Sequence, residues 1–472
     1  MSHVPPPREY RSEGMFRLLV RATDPGPADA RTIELGGIWW TLAGYEQIPV
    51  VAEAPEYTCI SYSWGRGRTA NPFEAGQSVS DRAMPVIEAT IKALQPAAIW
   101  IDSLCVPSQD PARAACLQRL GAIYGTATQV AAVLSKSCAA ILEQIHSTGR
   151  MDPAALAVLE NDDWVTRAWT YQEIANSRTI HFIAEGGSGS AVDGQQLLNS
   201  LCYAISDCKK SVGIEPFEFR TRFPRVEGLE EVLVDYKISN YLQRFAYQVM
   251  AAMDRRYSER AEDSFDAMMG AITSTPADSP DDLRPPPAER FIRACEAKGD
   301  YSFIYCTDPR SAVPGRCWRP IAGRISAILS WHTYGDGQSG LPYPTYLQLN
   351  NMCRMTPGTV NADARKLANW WLQGGGVSSS SDNLAAAVLE RLRRIGFSGC
   401  GEHLEMENGY FFPQSSFANV DGPEVVVAAG VRWVHGGPGL LVTRNGAGIH
   451  QFRDVGVFVG RVPQTGDPIN VA

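Results

Sequence analysis

The chain has no CxxC pair and no close Cys/His cluster among its 11 cysteines and 7 histidines, which removes the usual ligand spacings of a zinc site. Cys400 and His403 are a lone pair, too few to hold a metal. There is no HExxH helix and no GxxxxGK[ST] loop, and the Gly186-Gly187-Ser188-Gly189 run is not a complete GxGxxG. Zinc-protease, P-loop and ordinary Rossmann dehydrogenase chemistry are therefore not expected, and no metal is. No apolar run approaches the roughly 18 residues that a membrane-spanning helix needs, so membrane insertion is not expected. The opening MSHVPPPREYRSEG lacks the apolar core of a signal peptide, and the expected setting is a reducing cytoplasm with free thiols. With 43 basic against 51 acidic side chains and a net charge of −8, nucleic acid is not an expected partner.

The chain does carry enough apolar material for a real core: 44% hydrophobic residues in 472, with 20% charged. That length implies two or three domains of roughly 100 to 200 residues. A polar tail (1–14) precedes apolar stretches at Phe16 to Val20 and Ile33 to Leu42, read as leading strands either side of a Pro/Gly/Asp turn. From Tyr57 short apolar runs alternate with helix-period stretches. Tyr57 to Tyr62, Ala98 to Asp102, Gln129 to Leu134 and Thr179 to Ile183 are predicted strands. Predicted helices carry Ile87, Ile91 and Leu94, then Leu117, Leu120 and Tyr124, then Asp162 to Asn176, with a loop at Ser103 to Pro111. This alternation predicts an α/β fold: a doubly wound parallel sheet covered on both faces, with ligands expected in the loops after Tyr62, Asp102 and Leu134. Residues 229 to 273 read as helical, 274 to 288 as a Pro-rich loop and Gly374 to Ser381 as a flexible link. Leu384 to Ile395 reads as a helix, and Glu424 to Val462 as an antiparallel sheet.

Three segments carry a family resemblance in order and spacing: ISYSWG around Ser61, IWIDSLCVPSQD at Ile99 to Asp110 running into LGAIYGTATQVAAVLS, and WVTRAWTYQE at Trp164 to Glu173. Together they resemble the HET (heterokaryon-incompatibility) family, although CVPSQD stands where Cys-Ile-Asn-Gln-Asp is more common. RAEDSFDAMMGAI (Arg260 to Ile272) and GDYSFIY (Gly299 to Tyr305) resemble weaker motifs that often follow a HET domain. HET domains are in turn similar to TIR domains. The resemblance implies a TIR/flavodoxin-like domain over residues 15–188, a helical HET-associated region over 189–320, and a C-terminal accessory region over 321–472 of α+β, β-rich character.

Trp169-x-x-x-Glu173 sits where TIR enzymes carry the glutamate needed to cleave NAD, so the resemblance assigns the catalytic role to Glu173. On one continuous helix Val165, Trp169 and Glu173 share a drifting stripe, and burial beside an indole would raise the carboxyl pKa. The plainer alternative is an exposed or salt-bridged glutamate. Asp102, ending a strand, either meets a ribose or caps its loop. Ser63, Trp64 and Gly65 offer a hydroxyl, a stacking face and close backbone approach, or else form a structural turn. Arg66 and Arg68 meet a pyrophosphate or are solvated, Trp169 joins the binding set, and Arg167 is read as an ion-pair partner. Cys105 lacks a recognisable histidine partner and is read as a free, buried thiol.

The expected function is that of a cell-death or innate-immunity effector cleaving NAD at the nicotinamide–ribose bond, with NAD as substrate and no cofactor. Two alternatives stay open: a non-enzymatic TIR-like module acting by self-association, and a receptor for an NAD-derived nucleotide. Fold analogy does not decide among them.

Overall fold

A computed structural model describes residues 16–22, 32–45, 56–109, 112–212, 216–238, 244–273, 285–321, 323–373, 383–445 and 448–472. The N-terminal tail, the Pro/Gly/Asp turn, most of the 274–288 loop and the Gly374 to Ser381 run lie outside these residues. The strands β1 (Phe16–Ala22), β2 (Thr32–Leu35) and β3 (Ile38–Tyr45) come first. The second leading apolar stretch is thus a hairpin rather than one strand. Gly36 and Gly37, at φ 61° and 74°, supply the two positive-φ positions that a tight two-residue turn needs.

The alternating segment comes next: β4 (Thr58–Tyr62), a small hairpin of β5 (Arg68–Ala70) and β6 (Ser78–Ser80), α1 (Ala83–Leu94), β7 (Ala98–Ile101), α2 (Asp102–Cys105), α3 (Ala112–Gln118), α4 (Leu120–Thr126) and β8 (Gln129–Leu134). It continues through α5 (Ala139–Thr148), α6 (Ala155–Glu160), α7 (Asp163–Thr166), α8 (Trp169–Ala175), β9 (Ile180–Ala184) and β10 (Val192–Asp193). One eight-stranded sheet results, in the order β10-β9-β8-β4-β7-β1-β3-β2. Its middle is parallel, with β4 between β7 and β8 and with β9 beside β8; β10 and the leading strands add antiparallel edges. Every residue of β4 and β7 is buried, so side chains on both faces of the sheet are covered, as the alternation of short apolar runs and helices predicted.

Two predicted helices are broken. Leu117, Leu120 and Tyr124 are divided between α3 and α4, which meet at Arg119. The span from Asp162 to Asn176 is α7 and α8, with Arg167 extended at ψ 143° between them. The cause is tertiary: the Tyr257 amide donates to the Thr166 carbonyl (2.7 Å) and Ala168 N–H to the Tyr257 carbonyl (2.8 Å), taking groups that a continuous helix would use internally. Trp169 and Glu173 still share a helix, but Val165 does not belong to it. The predicted loop after Asp102 begins with the single-turn helix α2.

Beyond the sheet come α9 (Gly194–Val212), α10 (Pro216–Arg222), α11 (Pro224–Ile238), α12 (Ala246–Met253), α13 (Ala261–Ile272) and α14 (Pro287–Lys298). Helix α13 packs on α8 and α4, and the approach is close: a Cβ on Gly121 would stand 2.4 Å from the Gly270 carbonyl oxygen. Arg244, 2% exposed, donates to Asn176 Oδ1 and the Ala271 carbonyl at 2.8 Å each, and to the Ala175 carbonyl. These bonds fasten the end of α8 to the helices beyond the sheet.

The last part holds β11 (Gly340–Pro342), β12 (Leu347–Met355), α15 (Ala362–Gln373), α16 (Leu384–Arg394), β13 (Leu404–Met406), β14 (Gly409–Pro413), β15 (Pro423–Ala428), β16 (Gly436–Arg444), β17 (His450–Gly460) and β18 (Asp467–Val471). The antiparallel order is β11-β12-β15-β16-β17-β14-β13, and β18 pairs with both β12 and β17, closing a strand barrel. Helix α16 and the antiparallel strands within Glu424 to Val462 stand where the sequence predicted them.

Candidate active site

The parallel strands β4 and β7 end side by side, and the chain turns polar after each of them. Ser61, one residue before the end of β4, is 1% exposed, and its hydroxyl donates to the Glu173 carboxylate on α8. Trp164 of α7 donates its indole N–H to the same Ser61 oxygen at 2.7 Å. Trp164 is placed by Asp162, whose carboxylate accepts the Trp164 amide at 2.9 Å as the cap of α7. Ser61 therefore relays between a buried indole and a buried carboxylate.

Glu173 is 8% exposed. Burial pushes its carboxyl up to about 7; Ser61, Arg167 and the Tyr124 hydroxyl pull the other way, while nearby Asp102 adds to the rise. Tyr124 itself donates to the Ile60 carbonyl at 3.3 Å. Asp102, at the start of α2, is pushed up to about 6 by burial, tempered by the Trp64 indole, the Ser103 amide and Arg167. The Trp64 and Ser103 donors reach it at 2.6 Å each. Two carboxyl groups with raised pKa thus share one electrostatic environment at the carboxyl edge of the sheet, and Arg167 tempers both.

Trp64 and Asp102, both singled out in the sequence, are in direct contact. Arg68 lies over the Trp64 ring at 5.4 Å and donates to the Gly65 and Gly67 carbonyls, so it is a turn-forming side chain. Gly65, at φ 66°, fits the left-handed turn that only glycine takes freely. Ser63 is buried, its carbonyl accepting from Arg82 at 2.7 Å, whereas Arg66 is solvent-exposed. Trp169 starts α8 half-buried, and its side chain hydrogen-bonds Asp263 of α13, which directs it to the helices beyond the sheet. Arg167 stands 4.0 Å from Glu259.

Cys105 is buried, far from any catalytic posture: its sulfur lies 3.5 Å from the Ile101 amide and burial pushes the thiol up to about 12. All 11 cysteines are free thiols. Among the described residues no group of three or more metal-ligating side chains gathers, and no helix is long and apolar enough to cross a membrane.

The residues missed in the sequence are Ser61, Trp164, Tyr124 and Arg256. Arg256 donates to the Arg167 carbonyl at 3.0 Å and Thr170 Oγ1 at 2.9 Å, bracing the break between α7 and α8. Ser61 carried a signal, as a hydroxyl between Ile60 and Tyr62 in a largely apolar central strand. Arg256 carried none, because its contact is made across 89 residues of chain.

These features define an α/β domain with a buried acidic cluster at the carboxyl edge of its parallel strands, braced by helices from beyond the sheet. Residues 57–153 match the family model described as Heterokaryon incompatibility protein (HET). Over that stretch the chain thus carries a HET domain. The matched stretch includes Ser61, Trp64 and Asp102 and ends before Trp164 and Glu173. No curated protein and no solved structure matches the chain.

Proposed function

We propose that the HET domain is a TIR-like, NAD-cleaving effector of a cell-death pathway, with Glu173 as the carboxylate that acts on the ribose. The observation that carries this reading is Glu173 itself: a buried carboxyl, pushed up to about 7, beside the edge where parallel α/β sheets bind ligands. Counted along the chain, the parallel strands lie second, first, third, fourth, which is also the order of flavodoxin-like sheets and supports the TIR-like part.

The reaction breaks the bond between ribose C1′ and the nicotinamide nitrogen. The bonding pair leaves with nicotinamide, which becomes neutral, and positive charge develops on the ribose. Water adds at C1′ and loses a proton, giving ADP-ribose. An ionised Glu173 stabilises the cationic ribose electrostatically, and Arg167 together with the Ser61 hydroxyl favours that ionised form. In this reading Asp102 and Trp64 hold the ribose and a flat ring, Ser63 and Gly65 shape the turn, and the exposed Arg66 meets the pyrophosphate.

Glu173 is nearly closed to solvent, so substrate entry needs movement of the α7–α8 break or of the Ser63 to Arg68 turn. That same closure favours a second reading, in which the cluster is structural and the domain signals by self-association. Incubation of the full-length protein with NAD over a hundredfold range of protein concentration separates them. Nicotinamide and ADP-ribose in equal amounts support the enzyme. Concentration-dependent assembly with no product supports self-association. Saturable thermal stabilisation by NAD or ADP-ribose with no product supports a nucleotide receptor.

A further inference from the structure

Entry to Glu173 lies past the α7–α8 break or past the turn that leads into the β5–β6 hairpin, and the two are fastened differently. The break is built into backbone pairing: the Tyr257 amide donates to the Thr166 carbonyl and the Ala168 amide to the Tyr257 carbonyl. Arg256 adds bonds to the Arg167 carbonyl and to Thr170 Oγ1. Parting them strands several polar groups at once. The hairpin is a two-stranded ribbon, a form with little stability of its own. All three residues of β5 are exposed, while β6 packs on α2, the turn that begins with Asp102. The Tyr62 hydroxyl, buried beneath, lies by Ser80 of β6, by Ser103 of α2 and near Asp102. Within the hairpin Phe73 and Val79 are the buried apolar side chains.

Two polar contacts complete the attachment. At the root the Trp64 indole donates to Asp102 at 2.6 Å. At the tip the Arg17 guanidinium, on β1, pairs with the Glu74 carboxylate. Arg17 is 2% exposed, and its other donors go to the carbonyls of Cys105 (3.1 Å) and Val106 (2.8 Å) at the end of α2. A charge on a strand beside Phe16, Leu18 and Leu19 is costly to bury unless it is paired. Here one buried cation holds the turn after β7 and the tip of the hairpin together. The base is fixed separately: Arg82 donates to the Ser63 carbonyl at 2.7 Å and to Glu185 at 2.8 Å. Just beyond that base Gly65, at φ 66°, supplies a hinge position.

We infer that the β5–β6 hairpin is the gate to Asp102 and Glu173, latched at its tip by Arg17 and Glu74 and at its root by Trp64 and Asp102. It swings about Gly65 on the fixed Ser63–Arg82 base, and the α7–α8 break stays shut. A ligand that takes the Asp102 carboxylate from Trp64 releases the root latch, so binding and opening are coupled. Its role as a gate rests on the reading that a ligand reaches these carboxylates.

Thiol labelling of the full-length protein tests the gate without turnover. Ser103→Cys places a thiol on α2 where the Ser103 hydroxyl is buried, and Thr170→Cys places one on α8 behind the break, at a residue 1% exposed. Alkylation at each position is followed by peptide mass spectrometry, with and without Glu74→Gln. Glu74→Gln is expected to speed labelling at position 103 at least about fivefold and to leave position 170 unchanged, because only the hairpin latch is loosened. Equal acceleration at both positions overturns the inference, since it reports general loosening. So does an unchanged rate at position 103, or faster labelling at position 170 than at 103 before Glu74 is altered. Nicotinamide release is measured on the same proteins. Selective acceleration at position 103 without any release counts against Glu173 as a catalyst and leaves the gate standing.

Discussion

The hydroxyl of Ser61 on β4 donates to the carboxylate of Glu173 on α8, joining positions 112 residues apart. The Ser61 oxygen also accepts from Trp164 at 2.7 Å, so one small side chain satisfies two buried groups. Ser61→Ala leaves the Trp164 N–H, on a residue 1% exposed, without its acceptor. Denaturant unfolding is expected to show a loss of about 1–3 kcal/mol. In the proposed enzyme the loss of a donor to Glu173 also raises its pKa, moving the midpoint of the pH–rate profile to higher pH.

Glu173 has a folded-state pKa near 7, above its ordinary value of 4.5. Between those pH values the folded chain binds a proton that the unfolded chain has released, so this group makes stability fall as pH rises from about 4.5 through 7. Asp102, raised from 3.8 to about 6, acts in the same direction over a lower window. Glu173→Gln removes the burial cost of the charge. Thermal unfolding is expected to show the variant more stable than the wild type at pH 8, on the order of 1–3 kcal/mol, and nearly equal to it at pH 4. A variant less stable at pH 8 would mean that Glu173 is ionised and fully compensated.

Gly121 and Gly270 let α4 and α13 meet backbone to backbone. A Cβ on Gly270 would stand 1.6 Å from Gln172 Oε1, and one on Gly121 would stand 2.4 Å from the Gly270 oxygen. Gly121→Ala is therefore expected to lower stability by about 1–3 kcal/mol, measured by calorimetry, without altering exposed surface. A fragment ending near residue 190 lacks Arg244, Arg256 and α13, and is expected to melt without a cooperative transition.

Trp64→Phe removes the 2.6 Å donor to Asp102 while keeping a ring under Arg68. In the proposed enzyme the KM for NAD is expected to rise about tenfold as the turn loosens, with kcat changed less. A fall in kcat at constant KM would move Trp64 from substrate binding to the bond-breaking step.

The parallel strands were legible because each is a short, largely apolar run, too short for the amphipathic helices that alternate with them. The break at Arg167 was not legible. Residues 162 to 176 keep a helical pattern on paper, and only pairing with Tyr257, far along the chain, takes the amides that interrupt it. The spacing of Trp169 and Glu173 on one helix was legible, while the hydrogen bond of Trp169 to Asp263 of α13 was not, because it is made across 94 residues of chain. Asp102 and Trp64 were legible as residues just past strands that end at one sheet edge. Their mutual hydrogen bond was not, since it depends on a turn shaped by Gly65 and Arg82.

Nicotinamide release from NAD by full-length protein at pH 8, beside Glu173→Gln with its folding checked by circular dichroism, tests the role of Glu173 head-on. Measurable release by the wild type is expected, with a loss of at least about a hundredfold in the variant. Release by Glu173→Gln at the wild-type rate would show that this carboxylate does not act on the ribose.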